Sequence, residues 1–544
     1  MKRFISILII AFITILVLYI GDRIEIVKRS KLKSYVDSFN KSDNELYKQH
    51  IPNNKALEFL SENIPLIDIP NKEIEETYYF RWWTFRKHIK STEDGFVITE
   101  FLPNVSWSKK HNTINCPAGH HIYEGRWLKD SKYISEYIDF WLNKSGDGIR
   151  QYSFWVADAT LAFHNIHRND SIMSKQLKPL INNYNEWENI RKEKDKILFF
   201  QYDDRDGMEL TASGRKLNNG TEIFGIQSVR PTINSYMYAD ADAISKISYM
   251  NNDIENGKKY ERKAKEIKKE VQRALWNKDL NFFTVLPKNY NENSEPLDVR
   301  ELIGYVPWYF NLPDDNPKYA TAWEKIIDTS SFLAPIGLTV TEQSDPYFKV
   351  SYEGHECQWN GPSWPFATTQ TLKALSNFLN NYSHNKTISK GDYYNLLLQY
   401  ARQHKIENDK GEIINWIDEN LNPYNGDWIS RTRLKDWEGN GWSDDKGGVE
   451  RGKDYNHSGF TDLILSDLLG IKPQLNNTIE INPLIPDNWD WFAVDNISYQ
   501  GEKMSLVWDG TGKKYNRGKG LMLFKENVLV AKSNKIEKLI YTME

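Results

Sequence analysis

With 544 residues, 40% of them hydrophobic and 26% charged, the chain has the make-up of a globular protein with a large core rather than a disordered one. A net charge of −4 with no dominant basic block argues against nucleic acid as a ligand. Aromatic residues are the outlier at 13%, with 19 Trp and 30 Tyr, and point towards flat ligands with apolar faces. Cys116 and Cys357 lie far apart, form no metal-ligand pattern, and have no spacing that supports a disulfide.

Lys2 and Arg3 precede an uncharged apolar run from Phe4 to Ile20. The run exceeds the usual core of a cleaved signal, and Gly21-Asp22-Arg23 offers no small-residue cleavage pattern. Residues 1–21 are therefore expected to form a signal anchor, a cleaved signal peptide being the alternative. The positive end favours the cytoplasm. The body is then expected outside the inner membrane, periplasmic and anchored there, or secreted after cleavage. Residues 22–50 read as a polar juxtamembrane linker or first helix.

From 51 to about 470, helical periodicity recurs over Lys132–Leu142, Phe154–Ile166, Tyr184–Ile190, Ser235–Tyr249, Tyr260–Trp276, Pro365–Leu379 and Tyr393–His404. Convincing strand–helix alternation is missing, which favours a helical toroid over an α/β barrel. Beyond 470, Thr478–Pro483, Ser505–Trp508 and Leu521–Phe524 alternate, and Asp509-Gly510 signals a turn. Residues 471–544 are expected to form a small antiparallel β domain.

Candidate functional residues fall in the loops before helices. Thr77–Arg86 is an aromatic and cationic stretch that fits core packing as well as a ligand subsite. Gly119–Trp127 carries His120, His121, Tyr123, Arg126 and Trp127. Adjacent histidines rarely reach one metal ion, so ligand contact or a structural role is expected there. Asp203, Asp204, Asp206 and Glu209 put four acids into seven residues. Single acids at helix starts are ordinary caps, but crowded carboxylates raise one another's pKa, as a proton donor at neutral pH requires. Arg230–Tyr236, with Asn234, follows. Gln358–Pro365 sets Trp359 and Trp364 around an Asn360-Gly361-Pro362 turn, either a sugar platform or a buried aromatic corner. Asp418–Gly426 places Glu419 in a loop marked by Asn422-Pro423, a weak signal taken alone. Two acidic segments amid aromatics and amides suit glycosidic-bond hydrolysis, in which one carboxyl protonates the departing oxygen and the other activates water or attacks carbon.

Together these segments resemble the (α/α)6-barrel glycosidases of the trehalase and mannosyl-oligosaccharide-glucosidase clan, and within it the bacterial branch related to mannosylglycerate hydrolase. The resemblance covers roughly residues 75 to 470. Asp206-Gly207-Met208-Glu209 occupies the register of the family's Ser-Gly-x-Asp block. Trp359-Asn360-Gly361-Pro362-Ser363-Trp364 resembles Trp-Arg-Gly-Pro-x-Trp. Glu419–Gly426 fits Glu-x-Tyr-x-Pro-x-x-Gly with Leu421 for the Tyr, and Tyr455–Phe460 resembles the closing segment. The resemblance implies an (α/α)6 toroid in which Glu209 is general acid and Glu419 general base, with inversion. Two departures are Glu209 for the usual Asp and Asn360 for the usual Arg; Asp206 is the reserve acid.

The expectation is thus a monomeric glycosidase acting on an α-linked carbohydrate. Arg126, Trp127, His121, Asn234, Trp359, Asn360 and Trp364 would contact sugar, and the chemistry requires no metal or cofactor. The two carboxyl groups would stand about 6.5–9.5 Å apart, against about 5 Å for a retaining enzyme. Two other readings use the same chain. A polysaccharide lyase would draw its base and neutralising groups from His120, His121, Tyr123 and Arg126. A glycan-binding protein with a degenerate site would explain Glu at 209.

Overall fold

The computed structural model describes residues 25–384 and 386–543. The expected anchor at 1–21 lies outside them. Among the described residues no helix is long and apolar enough to cross a membrane.

The chain is mostly helical and closes with antiparallel sheet. Six buried helical segments follow one another around a ring: Ala118–Gly125, Val156–His164, Pro231–Met250, Val306–Tyr309, Pro365–Asn381 and Phe460–Asp462, the last continued as a π-helical turn over Leu463–Leu468. Phe460–Asp462 packs back against Ala118–Gly125 and closes the ring. Amphipathic helices back it from outside. Ile254–Ala274 buries Tyr260, Ala264, Ile267 and Val271 along one stripe against Pro231–Met250, which is buried on almost every side. Pro at the first helical position opens both Pro231–Met250 and Pro365–Asn381, where its fixed φ suits the helix and its missing N–H costs no bond. Much of the aromatic wealth is core: Trp82, Trp141, Trp155, Trp308 and Trp323 are all fully buried.

Residues 22–50, expected as a polar linker or first helix, contain such a helix. Arg29–Ser42 is a helix that buries Leu32, Val36 and Phe39 on Lys72–His88. After it Asp43 joins a buried charge cluster, 2.8 Å from Lys87 Nζ and 2.7 Å from that of Lys453, while Lys87 also reaches Asp454 at 2.7 Å. The β region expected from 471 takes in one strand from outside that span. Its five-stranded part runs in the order Leu66–Asp68, Trp491–Tyr499, Glu502–Asp509, Gly520–Lys525, Val528–Ser533. The first strand thus comes from the N-terminal part, with Ile67 opposite Val494. Tyr79 fixes that strand to the helical body: its hydroxyl donates to the Ile67 carbonyl at 2.7 Å and accepts from the Ile67 N–H at 2.9 Å.

Phe39 is 2% exposed and meets Phe80 edge-on, with ring centroids 5.5 Å apart. Phe39→Ala is expected to destabilise the chain by about 3–5 kcal/mol in urea unfolding. An unchanged midpoint would mean that the first helix is an appendage after all.

Candidate active site

A cavity of about 450 Å³ opens at one end of the ring. Its walls come from loops that lead into inner helices: Ile114 and Cys116 before Ala118, Gln151 and Tyr152 before Val156, His355 to Trp364 before Pro365, and Arg451 to His457 before Phe460. Asp204, Gly207 and Glu209 enter from the loop after the Phe200–Tyr202 strand.

The four acids of that loop have four different surroundings. Asp203 knits the loop, accepting from the N–H groups of Asp204, Gly225 and Ile226 at 2.9–3.0 Å and from the Thr211 hydroxyl at 3.2 Å. Asp204 lies at the cavity, with one carboxylate oxygen 3.6 Å from Arg205 Nε. Asp206 is sealed in the wall, taking Nε of Arg230 at 2.8 Å together with the Thr232 hydroxyl. It does not line the cavity, so the reserve acid is a structural partner of a buried guanidinium. Glu209 is half-buried at the cavity. Burial, reinforced by the carboxylates of Asp204, Glu419 and Asp203, pushes its carboxyl up to about 8.

The turn between them is sterically fixed. Gly207 has φ +75, and a Cβ there would meet Cys116 Sγ at 2.4 Å. Leu210, directly after Glu209, holds φ 59, a strained value for a residue with a side chain, and is kept there by burial.

Glu419 is 1% exposed and lines the same cavity. Arg451 meets its Oε1 with Nε at 2.9 Å and an Nη at 2.8 Å, while the Cys357 thiol donates to Oε2 at 3.1 Å. Arg451 also reaches Glu356 at 3.1 Å, and Lys446 meets the same carboxylate at 3.2 Å. Burial works against ionisation of Glu356, but Arg451, His355 and Lys446 outweigh it and hold the carboxyl down at about 2. His355, Glu356 and Cys357 bring three ligand-type atoms within 4.8 Å of one another. Glu356 is committed to two cations and the thiol to Glu419, so this trio is not arranged for a metal.

The aromatic block between the acids works as a strut. The Trp359 backbone N–H donates to the Glu209 carbonyl at 3.0 Å, and Ser363 and Leu421 exchange backbone hydrogen bonds at 2.9 and 3.0 Å. Trp359 and Trp364 stack with centroids 4.1 Å apart. One segment therefore spaces both acidic loops, and of its two Trp only Trp364 faces the cavity.

The other expected sugar contacts lie in or behind the wall. Arg126 and Trp127 both donate to Asp462, at 2.7 and 2.8 Å. His121 Nε2 donates to the Asn456 carbonyl at 2.7 Å, holding from behind the turn that carries Tyr455 and His457; burial pushes its ring down to about 3. Asn234 is taken up by the backbone of Phe199 and Arg230, and Asn360 donates to the Tyr347 carbonyl. His120 packs against Trp155 and Phe366, and Tyr123 donates to Asp158. His120, His121, Tyr123 and Arg126, the residues named for a lyase, therefore do not line the cavity. The Thr77–Arg86 stretch is buried helix and does not line the cavity.

Two important residues carry no signal in the sequence. Glu100 lines the cavity with its Oε1 2.5 Å from the Tyr455 hydroxyl and 3.2 Å from His457 Nε2. Burial, with Glu419 and Glu209 adding to it, pushes its carboxyl up to about 8. It sits in Thr99-Glu100-Phe101, where nothing but the acid itself marks it. Arg451 lies in the Gly-rich run from Gly447 to Gly452, which reads as a plain loop.

The mannosylglycerate hydrolase MGH1-like glycoside hydrolase domain matches residues 110–458. The chain belongs to that family. Residues 473–523 match the C-terminal domain of glycosyl hydrolase family 65. A solved chain described as a sialidase is 39% identical, with a TM-score of 0.84 over 94% of this MGH1-like chain. The match covers 44% of that protein, so this chain spans less than half its length. An uncharacterised conserved protein from Thermus thermophilus matches 72% of this chain and 100% of its own length at 10% identity and TM-score 0.50. A family 78 rhamnosidase of Bacillus sp. GL1 matches 82% of this chain and 40% of its own, at 11% identity and TM-score 0.50. The last two are similar in fold.

Asp206→Ala leaves the fully buried Arg230 without its carboxylate. A loss of about 3–5 kcal/mol in urea unfolding is expected. A variant as stable as wild type would mean that Asp206 is free for another role.

Proposed function

We propose that this chain hydrolyses an α-linked glycoside with inversion, on a ring of the (α/α)6 type. The observation that carries the reading is the pairing of two unlike carboxyl groups at one cavity. Glu209 has no cationic partner at contact distance among the described residues and is pushed up to about 8, whereas Glu419 is seated against Arg451. The first suits a proton donor at neutral pH and the second a carboxylate. In this mechanism Glu209 protonates the glycosidic oxygen as its bond to the anomeric carbon breaks. Glu419 takes a proton from water that attacks the opposite face of the sugar. The cavity lies within the usual size range of small-ligand sites, and Trp107, Tyr152 and Trp364 offer faces for the sugar ring. The sugar is unassigned. Lys109 and Arg205 at the cavity, and the relative described as a sialidase, put acidic sugars beside neutral hexosides as candidates.

Glu209→Gln and Glu419→Gln are each expected to lower kcat by about 10²–10⁴-fold. The assay is a panel of gluco-, manno-, galacto- and rhamno-configured glycosides and sialosides, with the product anomer followed by NMR. Release of the retained anomer would overturn inversion, and undiminished turnover by Glu209→Gln would move the acid elsewhere.

A raised carboxyl pKa keeps the proton on Glu209 below about pH 8 and releases it above. The ratio kcat/KM is therefore expected to fall as pH rises through about 8. A profile with no alkaline fall in that region would contradict Glu209 as acid.

A further inference from the structure

Cys357 is a free thiol, half-buried, at the wall of the cavity, and its Sγ lies 3.1 Å from Glu419 Oε2. The division of labour around Glu419 is uneven. Both Arg451 nitrogens converge on Oε1. Cys357 is the one hydrogen-bond donor to Oε2 among the described residues, so that oxygen's direction rests on a sulfur. The carboxylate can only accept in this contact, so the thiol keeps its proton and donates it. Burial and the carboxylates of Glu419 and Glu356 all push the thiol well above its ordinary range, in keeping with that role.

Resting on the hydrolase reading above, we propose that Cys357 is a positioning residue for Glu419. Its S–H fixes Oε2, the oxygen that Arg451 leaves open for the attacking water. One donor leaves the second lone pair of Oε2 free to receive the proton of water. The other groups facing Glu419 are Asp418 beside it, Glu100 and Glu209 across the cavity, Tyr455, and His355. All of them remain in a Cys357 variant, so a change there isolates the sulfur.

Two measurements on the full chain test this. In the first, kcat, KM and the melting temperature are compared for wild type, Cys357→Ala and Cys357→Ser on whichever glycoside of the panel is cleaved. Loss of the donor lets Oε2 turn away from the attacking water, so kcat in Cys357→Ala should be lower by about three- to tenfold with KM little changed. Cys357→Ser, which restores a donor, should bring kcat back towards wild type. A purely structural role for Cys357 would lower the melting temperature and leave kcat in place, and that result would overturn the proposal.

The second measurement needs no turnover. The rate of iodoacetamide alkylation at Cys357 is followed by peptide mass spectrometry in wild type and Glu419→Gln. The sulfur attacks carbon, iodide leaves and the thiol proton passes to solvent. With the acceptor charge removed and Arg451 still 3.9 Å from the sulfur, the thiolate forms more readily. Alkylation of the variant should be about tenfold faster or more. Equal rates would overturn the contact itself. No hydrolysis by wild type anywhere on the panel, together with accelerated alkylation of Glu419→Gln, would count against the hydrolase reading and leave the Cys357–Glu419 pairing standing.

Discussion

The site turns on the difficulty of gathering carboxyl groups in a space with little water. Glu100 and Glu209 share one cavity with Glu419, and burial together with neighbouring carboxylates pushes both of their carboxyls up. The fold meets this with an asymmetric supply of positive charge. Arg451 is spent on Glu419 and Glu356, and Arg230 on Asp206; neither is placed on Glu209. Glu100 receives a phenol and an imidazole instead of a cation. Two buried guanidinium groups are thus paired with other carboxylates, and Glu209 is left with burial and like charge around it.

Holding that arrangement is a mechanical problem, and the Trp359–Trp364 segment addresses it. Its backbone bonds to Glu209 at one end and to Leu421 at the other, so two acidic loops more than 200 residues apart in sequence share one spacer. Gly361 within the spacer has no room for a side chain, since a Cβ would meet the Lys349 carbonyl at 2.1 Å. The stacked indoles are consequently structural as much as ligand-facing. His121 and Arg81 support the Tyr455–Ser458 turn in the same manner, from behind.

Much of the architecture was legible from residue spacing. The helices near Pro231, Ile254, Pro365 and Lys390 and the strands near Thr478, Ser505 and Leu521 follow from period and turn chemistry. The first acidic segment stands out because four carboxylates crowd one loop, whereas the Glu419 segment is weak alone and gains its meaning from the resemblance. Spacing does not say which acid faces a cavity and which an arginine, so Asp203, Asp206 and Glu209 look alike in one dimension. It is the resemblance that singles out Glu209, the one of the three at the cavity. The same limit holds for His121, Arg126 and Asn234, whose hydrogen bonds run to Asn456, Asp462 and the backbone of Phe199 and Arg230. Polar residues next to a site in sequence often serve as its scaffolding, and only their partners tell them apart. Glu100 and Arg451 carried no signal, since the contacts that give them meaning come from residues 355 and 32 positions away.

The strand at Leu66–Asp68 has a consequence for how the molecule comes into being. Its partner, Trp491–Tyr499, is made some 425 residues later, so the sheet cannot close until most of the chain has left the ribosome. Until then residues 66–68 present an unpaired strand edge beside a forming helical ring, the kind of exposure that invites wrong pairing. Closure joins segments at opposite ends of the chain and carries the loop-closure cost of a highly non-local contact. The sheet is thereby completed after the helical ring, and truncation from the C-terminal side would leave Leu66–Asp68 without its partner strand.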